Sequence, residues 1–241
     1  MANHPLHLAI IPDGNRRWAK KQLLKPWDGH RRGMDNARKL VKWCRENDRI
    51  HTVTLWGFST ENWNRPTEEI QVLMRIYEDF LQAERETFIA NKTRLIHSGR
   101  KDRLPQTLVQ LLHDVAEETA SDFEFTLNFA LDYGGRDEII RAAQRLAVRQ
   151  PVHSGAGNGS LSEPLPSLNE DHLRQCLDHP ELPDMDLVIR TSGEMRTSGF
   201  FIWQTAYAEW HFNDKYFPDL QPEDVAQAIQ DFDNRERRFG K

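Results

Sequence analysis

Short apolar runs alternate along most of the 241-residue chain with stretches whose apolar side chains recur at three- and four-residue spacing. This is the pattern of strands alternating with amphipathic helices, and so of an α/β fold with a largely parallel sheet. Leu8 to Ile11 is an unbroken apolar run, as expected of a strand buried on both faces; Pro12 ends it and Gly14 permits a sharp turn. Residues 29 to 48 read as a helix with Met34, Ala37, Leu40, Val41 and Cys44 on one face, which makes Cys44 a core thiol. Thr52 to Phe58 is a second strand, and the polar stretch Ser59 to Pro66 follows it. The helix predicted over residues 67 to 90 opens with Thr67 as N-cap and Glu68 and Glu69 in its first turn. Its stripe of Ile70, Leu73, Met74, Tyr77, Phe80 and Leu81 suits packing on a sheet, and part of it suits an elongated apolar ligand equally well.

Further on, the pattern predicts a strand at Leu95 to Ser98, a helix from Pro105 to Ala120, and an alternating strand from Phe123 to Ala130. A turn at Asp132 to Arg136 leads into a helix reaching about Arg149. Residues 151–168 are rich in Pro, Gly and Ser and read as a surface loop, because elements of the same type resume after them. Met185 to Arg190, Phe200 to Gln204 and Tyr207 to Phe212 are the remaining predicted strands, and Pro222 opens a last helix. The expectation is one domain over residues 1–241, with helices flanking a mostly parallel central sheet.

Composition narrows the function. The 32 lysines and arginines are outnumbered by 37 acidic residues, for a net charge of −5, which argues against general nucleic-acid binding and makes any basic site local. Two cysteines are too few for a disulfide framework or a cysteine zinc site. Neither a signal-peptide pattern nor an apolar run of about 18 residues occurs, so a cytoplasmic protein is expected.

Four predicted strand ends carry polar clusters: Asp13 to Arg17, Ser59 to Arg65, Asp132 to Arg136 and Arg190 to Ser198. In a parallel sheet these loops gather on one edge, where open α/β sheets bind ligands. Arg16, Arg17 and Lys20 beside a helix start suit a phosphate, and a lone Asp13 among them can hold Mg²⁺ against it. The alternative is a turn aspartate capping a helix with a solvated basic face. Arg190 and Arg196, flanking several hydroxyls across from the Asp-Gly-Asn turn, point to a diphosphate.

These same segments carry a resemblance. HLAIIPDGNRRWAK (7–20), FSTENWNRP (58–66), DYGGR (132–136), DLVIRTSGEMRTSGFFIWQ (186–204), AYAEWHF (206–212) and NRERRFG (234–240) resemble the signatures of the cis-prenyltransferases, the undecaprenyl diphosphate synthase family, in that family's order. The resemblance implies an Mg²⁺-dependent transferase that condenses isopentenyl diphosphate with an allylic diphosphate such as farnesyl diphosphate. It implies a homodimer, an apolar tunnel for the growing chain, and a lipid product that brings peripheral contact with membranes. Asp13 matches the catalytic, Mg²⁺-positioning aspartate, and Gly14, Asn15, Arg16, Arg17, Trp18 and His30 match the pocket for the allylic diphosphate. Asn62 matches the asparagine used near proton removal, in a loop that includes Ser59, Trp63 and Arg65. Arg190, Arg196 and Ser198 match the isopentenyl diphosphate pocket, Glu209 a second acidic position linked to Mg²⁺, and Arg238 to Gly240 a tail that completes the site across the dimer.

The chain departs from the commonest bacterial pattern at Pro12, Arg16, Pro26, Asp132, Met195 and Gly199. The small Gly57 is expected to leave the tunnel open, favouring a long, undecaprenyl product for cell-wall lipid carriers. The GNRRWA and SGF variants resemble members with short products, so a short-chain or irregular synthase is the alternative. A non-catalytic partner subunit of this fold should have lost Asp13 or the Arg190 and Arg196 pair, and this chain keeps all three. No D-D-x-x-D motif of the trans class occurs.

Overall fold

The structure, a computed structural model, describes residues 5–149 and 169–235. Six strands, β1 (Leu6–Ile11), β2 (Ile50–Ser59), β3 (Thr93–Ser98), β4 (Phe125–Tyr133), β5 (Leu187–Arg190) and β6 (Glu209–Phe212), form one sheet in the order β3-β4-β2-β1-β5-β6. Every pairing is parallel. The helices are α1 (Asn15–Lys21), α2 (Pro26–Arg45), α3 (Thr67–Ala90), α4 (Gln106–Glu118), α5 (Gly135–Arg149), α6 (Glu170–Arg174) and α7 (Pro222–Asn234). Tight 3-10 turns occupy Thr60–Asn64 and Phe217–Asp219.

The two-residue period of β1 explains its unbroken apolar run. Leu8 and Ile10 enter the larger core, which Leu40, Leu73, Tyr77, Phe80, Leu108 and Phe232 complete from the helices. Ala9 and Ile11 face the second core with Trp56, Ala130, Tyr133, Phe200 and Phe201. Each large apolar side chain so buried contributes about 1.5–3 kcal/mol over its exposed state. Cys44 lies in the larger core as expected, and burial alone pushes its thiol up to about 12.

Three local expectations change. Phe200 to Gln204 forms turns, not a strand. Consecutive residues of a strand point to opposite faces, whereas Phe200 and Phe201 both enter the second core, where Phe201 stacks on Tyr133 at 3.9 Å between ring centroids. The last strand spans only Glu209–Phe212. At the start of α3, Pro66 takes the N-cap position without a side-chain hydrogen bond, and Thr67 is the first helical residue.

Gly57 also has a packing role besides the one expected of it. The β2–β4 register shifts between Trp56 and Phe58, so Gly57 is the extra residue of a bulge. A Cβ there would meet Leu131 Cδ2 and Phe129 Cε2 at 2.7 Å, so the missing side chain makes room for those two residues. Tyr77 Oη donates to the Gly57 carbonyl at 2.7 Å. The loop at 151–168 and the tail at Arg238 to Gly240 lie outside the described residues. Among the described residues, no helix is long and apolar enough to cross a membrane.

Candidate active site

The strand order turns back at β1, with β2 on one side and β5 on the other, and such a switch point opens a crevice at the carboxyl edge. The four polar loops meet there. Arg190 Nη2 donates to Asp13 Oδ2 at 2.9 Å, joining the loops after β5 and β1. Trp63 Nε1 donates to Asp132 Oδ1 at 2.8 Å, joining those after β2 and β4. Gly135 N donates to the Gly199 carbonyl at 2.9 Å, joining those after β4 and β5.

Asp13 is held by its backbone as well as its carboxylate. Its N–H donates to Thr191 Oγ1 at 2.9 Å, and Thr191 Oγ1 donates to its carbonyl at 2.7 Å. The carboxylate accepts from Gly14 N at 2.7 Å and from Arg17 Nη2 at 3.3 Å. Gly14 must be glycine: φ is 98°, and a Cβ would lie 2.6 Å from Tyr216 and 2.9 Å from Ser192.

A cleft of about 250 Å³ opens beside this turn. Its polar wall includes Asp13, Asn15, Arg16, His30, Ser59, Asn62, Arg65, Arg190 and Ser198, and its apolar wall includes Met34, Leu55, Leu73, Ile76, Tyr77 and Phe217. Three arginines against one carboxylate make the mouth cationic in a chain of net charge −5. Two polar atoms in this wall, Asn15 Oδ1 and Arg190 Nε, are buried without a partner, although buried polar groups are normally satisfied. A ligand with both donor and acceptor atoms would complete them. Ser198 Oγ accepts from Arg190 Nη1 at 2.8 Å, and Asn62 Oδ1 accepts from Ser59 N at 3.2 Å, which turns the Asn62 amide into a fixed orientation.

Two acidic residues that motif reading did not single out as site residues organise the cations. Glu69 Oε1 lies 3.2 Å from His30 Nε2, 3.4 Å from Arg65 Nη1 and 3.7 Å from Arg16 Nε. The hydrogen bond from His30 is the largest of the effects holding Glu69 below the usual carboxylate range. Burial, aided by the charges of Arg65 and Arg16, holds His30 below its ordinary value and outweighs Glu69. On the opposite side, Glu194 accepts from Arg17 Nη1 at 2.7 Å and pairs with Arg196.

Several expected residues stand apart from the cleft wall. Trp18 donates from Nε1 to Asp219 at 2.9 Å and anchors α1 to the 217–219 turn. Arg17 and Arg196 border the mouth through Glu194. Trp63 backs the wall by packing edge-on against Phe58, with ring centroids 5.2 Å apart. Glu209 sits on β6 in register with Leu187, toward the amino end of β5, and accepts from Arg235 Nη1 at 2.5 Å; it does not line the cleft.

The departures from the family pattern have local accounts. Arg16 joins the Glu69 cluster. Asp132, at φ 51° and fully buried, is matched by Arg103, whose Nε donates to Oδ2 at 2.8 Å and whose Nη2 donates to Oδ1. Pro26 is the first residue of α2, where no N–H is needed. Met195 is exposed, and nothing in the structure explains it.

Comparison with known proteins agrees with this geometry. The family described as putative undecaprenyl diphosphate synthase matches residues 11–240. An isoprenyl transferase of Listeria innocua is 43% identical over 98% of this chain and 90% of its own length. One from Thermotoga maritima is 41% identical over 98% and 97% respectively. Among solved structures, lavandulyl diphosphate synthase from Lavandula x intermedia, in complex with dimethylallyl diphosphate, superposes with a TM-score of 0.89 at 32% identity, covering 98% of each chain. A probable undecaprenyl diphosphate synthase of Campylobacter jejuni gives 0.79 at 34% identity over 100% of each. Motifs, sheet order and full-length similarity together make this chain a prenyltransferase, a member of the undecaprenyl diphosphate synthase family of isoprenyl transferases.

Proposed function

We propose that the cleft condenses isopentenyl diphosphate with an allylic diphosphate, farnesyl diphosphate first, into a Z-polyprenyl diphosphate. One observation carries this reading: a cationic mouth, with Asp13 as the one carboxylate on its lining, runs directly into an apolar wall. A charged head on a branched hydrocarbon tail fits both ends of that space. Asn15, Arg16 and His30 would take the allylic diphosphate, and Arg190, Ser198 and Arg196 that of isopentenyl diphosphate. Guanidiniums placed where charge develops on the departing oxygens stabilise ionisation of the allylic carbon. Asn62 would then assist removal of the proton lost after condensation.

The donor set fits Mg²⁺. Among the described residues, no cluster of three or more acidic, histidine or cysteine side chains could enclose a metal, and Mg²⁺ needs none when one carboxylate and substrate phosphate oxygens share it. Asp13, partly exposed at the mouth, would be that carboxylate. The ion supplies further charge stabilisation on the diphosphate.

An undecaprenyl product, a carrier for cell-wall synthesis made in the cytoplasm, is the first reading of chain length, supported by the family match. A short product is the second, and the inner wall favours it. Tyr77 stands edge-on to Phe129 at 5.4 Å, and Phe80 to Phe129 at 5.8 Å. A cleft of about 250 Å³ is below the roughly 300–1,000 Å³ of pockets for drug-sized ligands, which suits a short product better than eleven isoprene units. A homodimer is the assembly the family resemblance implies; a gel-filtration mass of one subunit would overturn it.

Incubation with farnesyl diphosphate, labelled isopentenyl diphosphate and Mg²⁺, with products resolved by length, tests the whole reading. A ladder ending near eleven units establishes the long product, and one stopping at three or four units the short. Absence of product with every allylic primer defeats the assignment.

A further inference from the structure

The turn between α1 and α2 carries two leucines that the fold does not use. Leu23 is 95% exposed and Leu24 48%. Leu24 N donates to the Ala19 carbonyl at 2.9 Å and Leu23 N to that of Lys20 at 3.1 Å, the paired bonds that close a helix with a left-handed residue after its C-cap. Glycine serves best there, because a Cβ is strained at positive φ, yet Leu23 occupies it at φ 59°. A bulky apolar side chain thus stands fully in solvent at a position where glycine would relax the backbone.

Its surroundings are basic. Lys20, Lys21 and Arg32 are exposed and pair with no carboxylate among the described residues. Lys25 Nζ lies 4.9 Å from the Trp27 ring centroid. Asp28 is the one acidic side chain between Arg16 and Arg32, a stretch with seven lysines and arginines in a chain of net charge −5. Apolar tips ringed by lysine, with an aromatic beside them, match an anionic bilayer surface: the leucines enter the acyl boundary and the ammonium groups meet the headgroups. α1 spans about 10 Å at 1.5 Å per residue, and its first residues, Asn15 and Arg16, line the cleft.

The geometry points to the Leu23–Leu24 turn as the docking element that seats this protein on anionic lipid, with the cleft mouth one short helix away. This rests on the prenyltransferase reading for its purpose, since a polyprenyl product must leave for a membrane, but not for its test. The full chain, without substrate, is sedimented with vesicles of phosphatidylcholine alone or with added phosphatidylglycerol. Binding to the anionic vesicles is expected, falling about tenfold in Leu23→Gly/Leu24→Ser and on Lys20→Glu/Lys21→Glu. Leu23→Gly alone should keep or raise Tm, so a folding failure does not stand in for lost docking. Turnover with a soluble primer should be unchanged in the leucine variants, which separates failure of this proposal from failure of the enzymatic one. Equal binding by wild type and the leucine variants, or no preference for anionic vesicles, overturns the proposal. So does a dimer that becomes a monomer on Leu23→Gly/Leu24→Ser, which would make the turn an interface between copies.

Discussion

The two acidic clusters at the cleft mouth use the same chemistry in opposite settings. Glu69 sits in the first turn of α3 with its side chain only 5% exposed, and its partners come from three separate elements. Glu194 sits in the loop after β5, where Ser192, Gly193, Ser198 and Gly199 all have positive φ, and its partners Arg17 and Arg196 are 43% and 61% exposed. Coulombic interactions are strong in the interior and screened at the surface. The helix side is therefore a fixed wall whose carboxylate holds two guanidiniums and an imidazole in place. On the loop side the carboxylate pairs with exposed arginines, and a competing anion can displace it at small cost.

Asp13 pairs with Arg17 and Arg190 on the loop side and lines the cleft together with Arg16 and Arg65 of the helix side, so its loss has the largest expected effect. Asp13→Ala should lower turnover about a thousandfold, measured by incorporation of labelled isopentenyl diphosphate, while farnesyl diphosphate still binds through the arginines. Unchanged turnover would remove Asp13 from the chemistry.

Glu69→Gln separates the two settings. Removing a buried carboxylate from its partners should cost about 2 kcal/mol in urea unfolding, below the usual figure for buried pairs because Arg16 can turn to solvent. Its pH signature has a definite sign. The depressed Glu69 carboxyl adds stability that is complete above about pH 4.5 and lost as pH falls through the folded value. Glu69→Gln should flatten that acid limb. His30 and His7 act in a higher window: burial lowers both, His7 to about 4, so the unfolded chain binds protons below pH 6.5 that the folded chain refuses. Stability should therefore decline from pH 6.5 downward in wild type and variant alike. An acid limb unaltered by Glu69→Gln would show that the cluster is not a fixed wall.

What was legible in the sequence follows the same division. The apolar periods of β1, β2, β4, α2 and α3 were readable because burial dictates them locally, and glycine-bearing turns marked the strand ends. Asp13, Arg190 and Asn62 were readable because the motifs carry them. Glu69 was not: two acidic residues opening a helix look like a solvated first turn, and only the packing of α2 against α3 brings His30 to it from 39 positions away. Arg103 had no motif at all, and its pairing with Asp132 emerges only from the way the turn after β3 folds over the end of β4. Phe200 and Phe201 misled because an aromatic run suits a strand or a turn equally until the core that receives it is known.

Trp63→Phe asks whether the wall depends on its anchor. The hydrogen bond to Asp132 is lost while Arg103 remains, for an expected cost of about 1 kcal/mol in unfolding. The mobility gained by Asn62 and Arg65 should appear as a raised KM for the allylic substrate. A stability loss with no change in KM would mean that the 60–64 turn is held from elsewhere.

The smallest effect tests the loop side most directly. If Glu194 only stands in for a diphosphate, Glu194→Gln frees Arg17 and Arg196 in advance, and KM for isopentenyl diphosphate should fall about threefold, the scale of an exposed ion pair, with Tm unchanged. A rise in KM would mean that Glu194 helps hold the substrate, directly or by keeping Arg196 pointed into the mouth. Adding salt distinguishes these outcomes: screening should shrink the wild-type penalty toward the variant in the first case and weaken both proteins alike in the second. A loop that must release its own carboxylate before binding also admits substrate only when the rewarded charge is present, and that selectivity is what the buried Glu69 wall, unable to exchange partners, cannot provide.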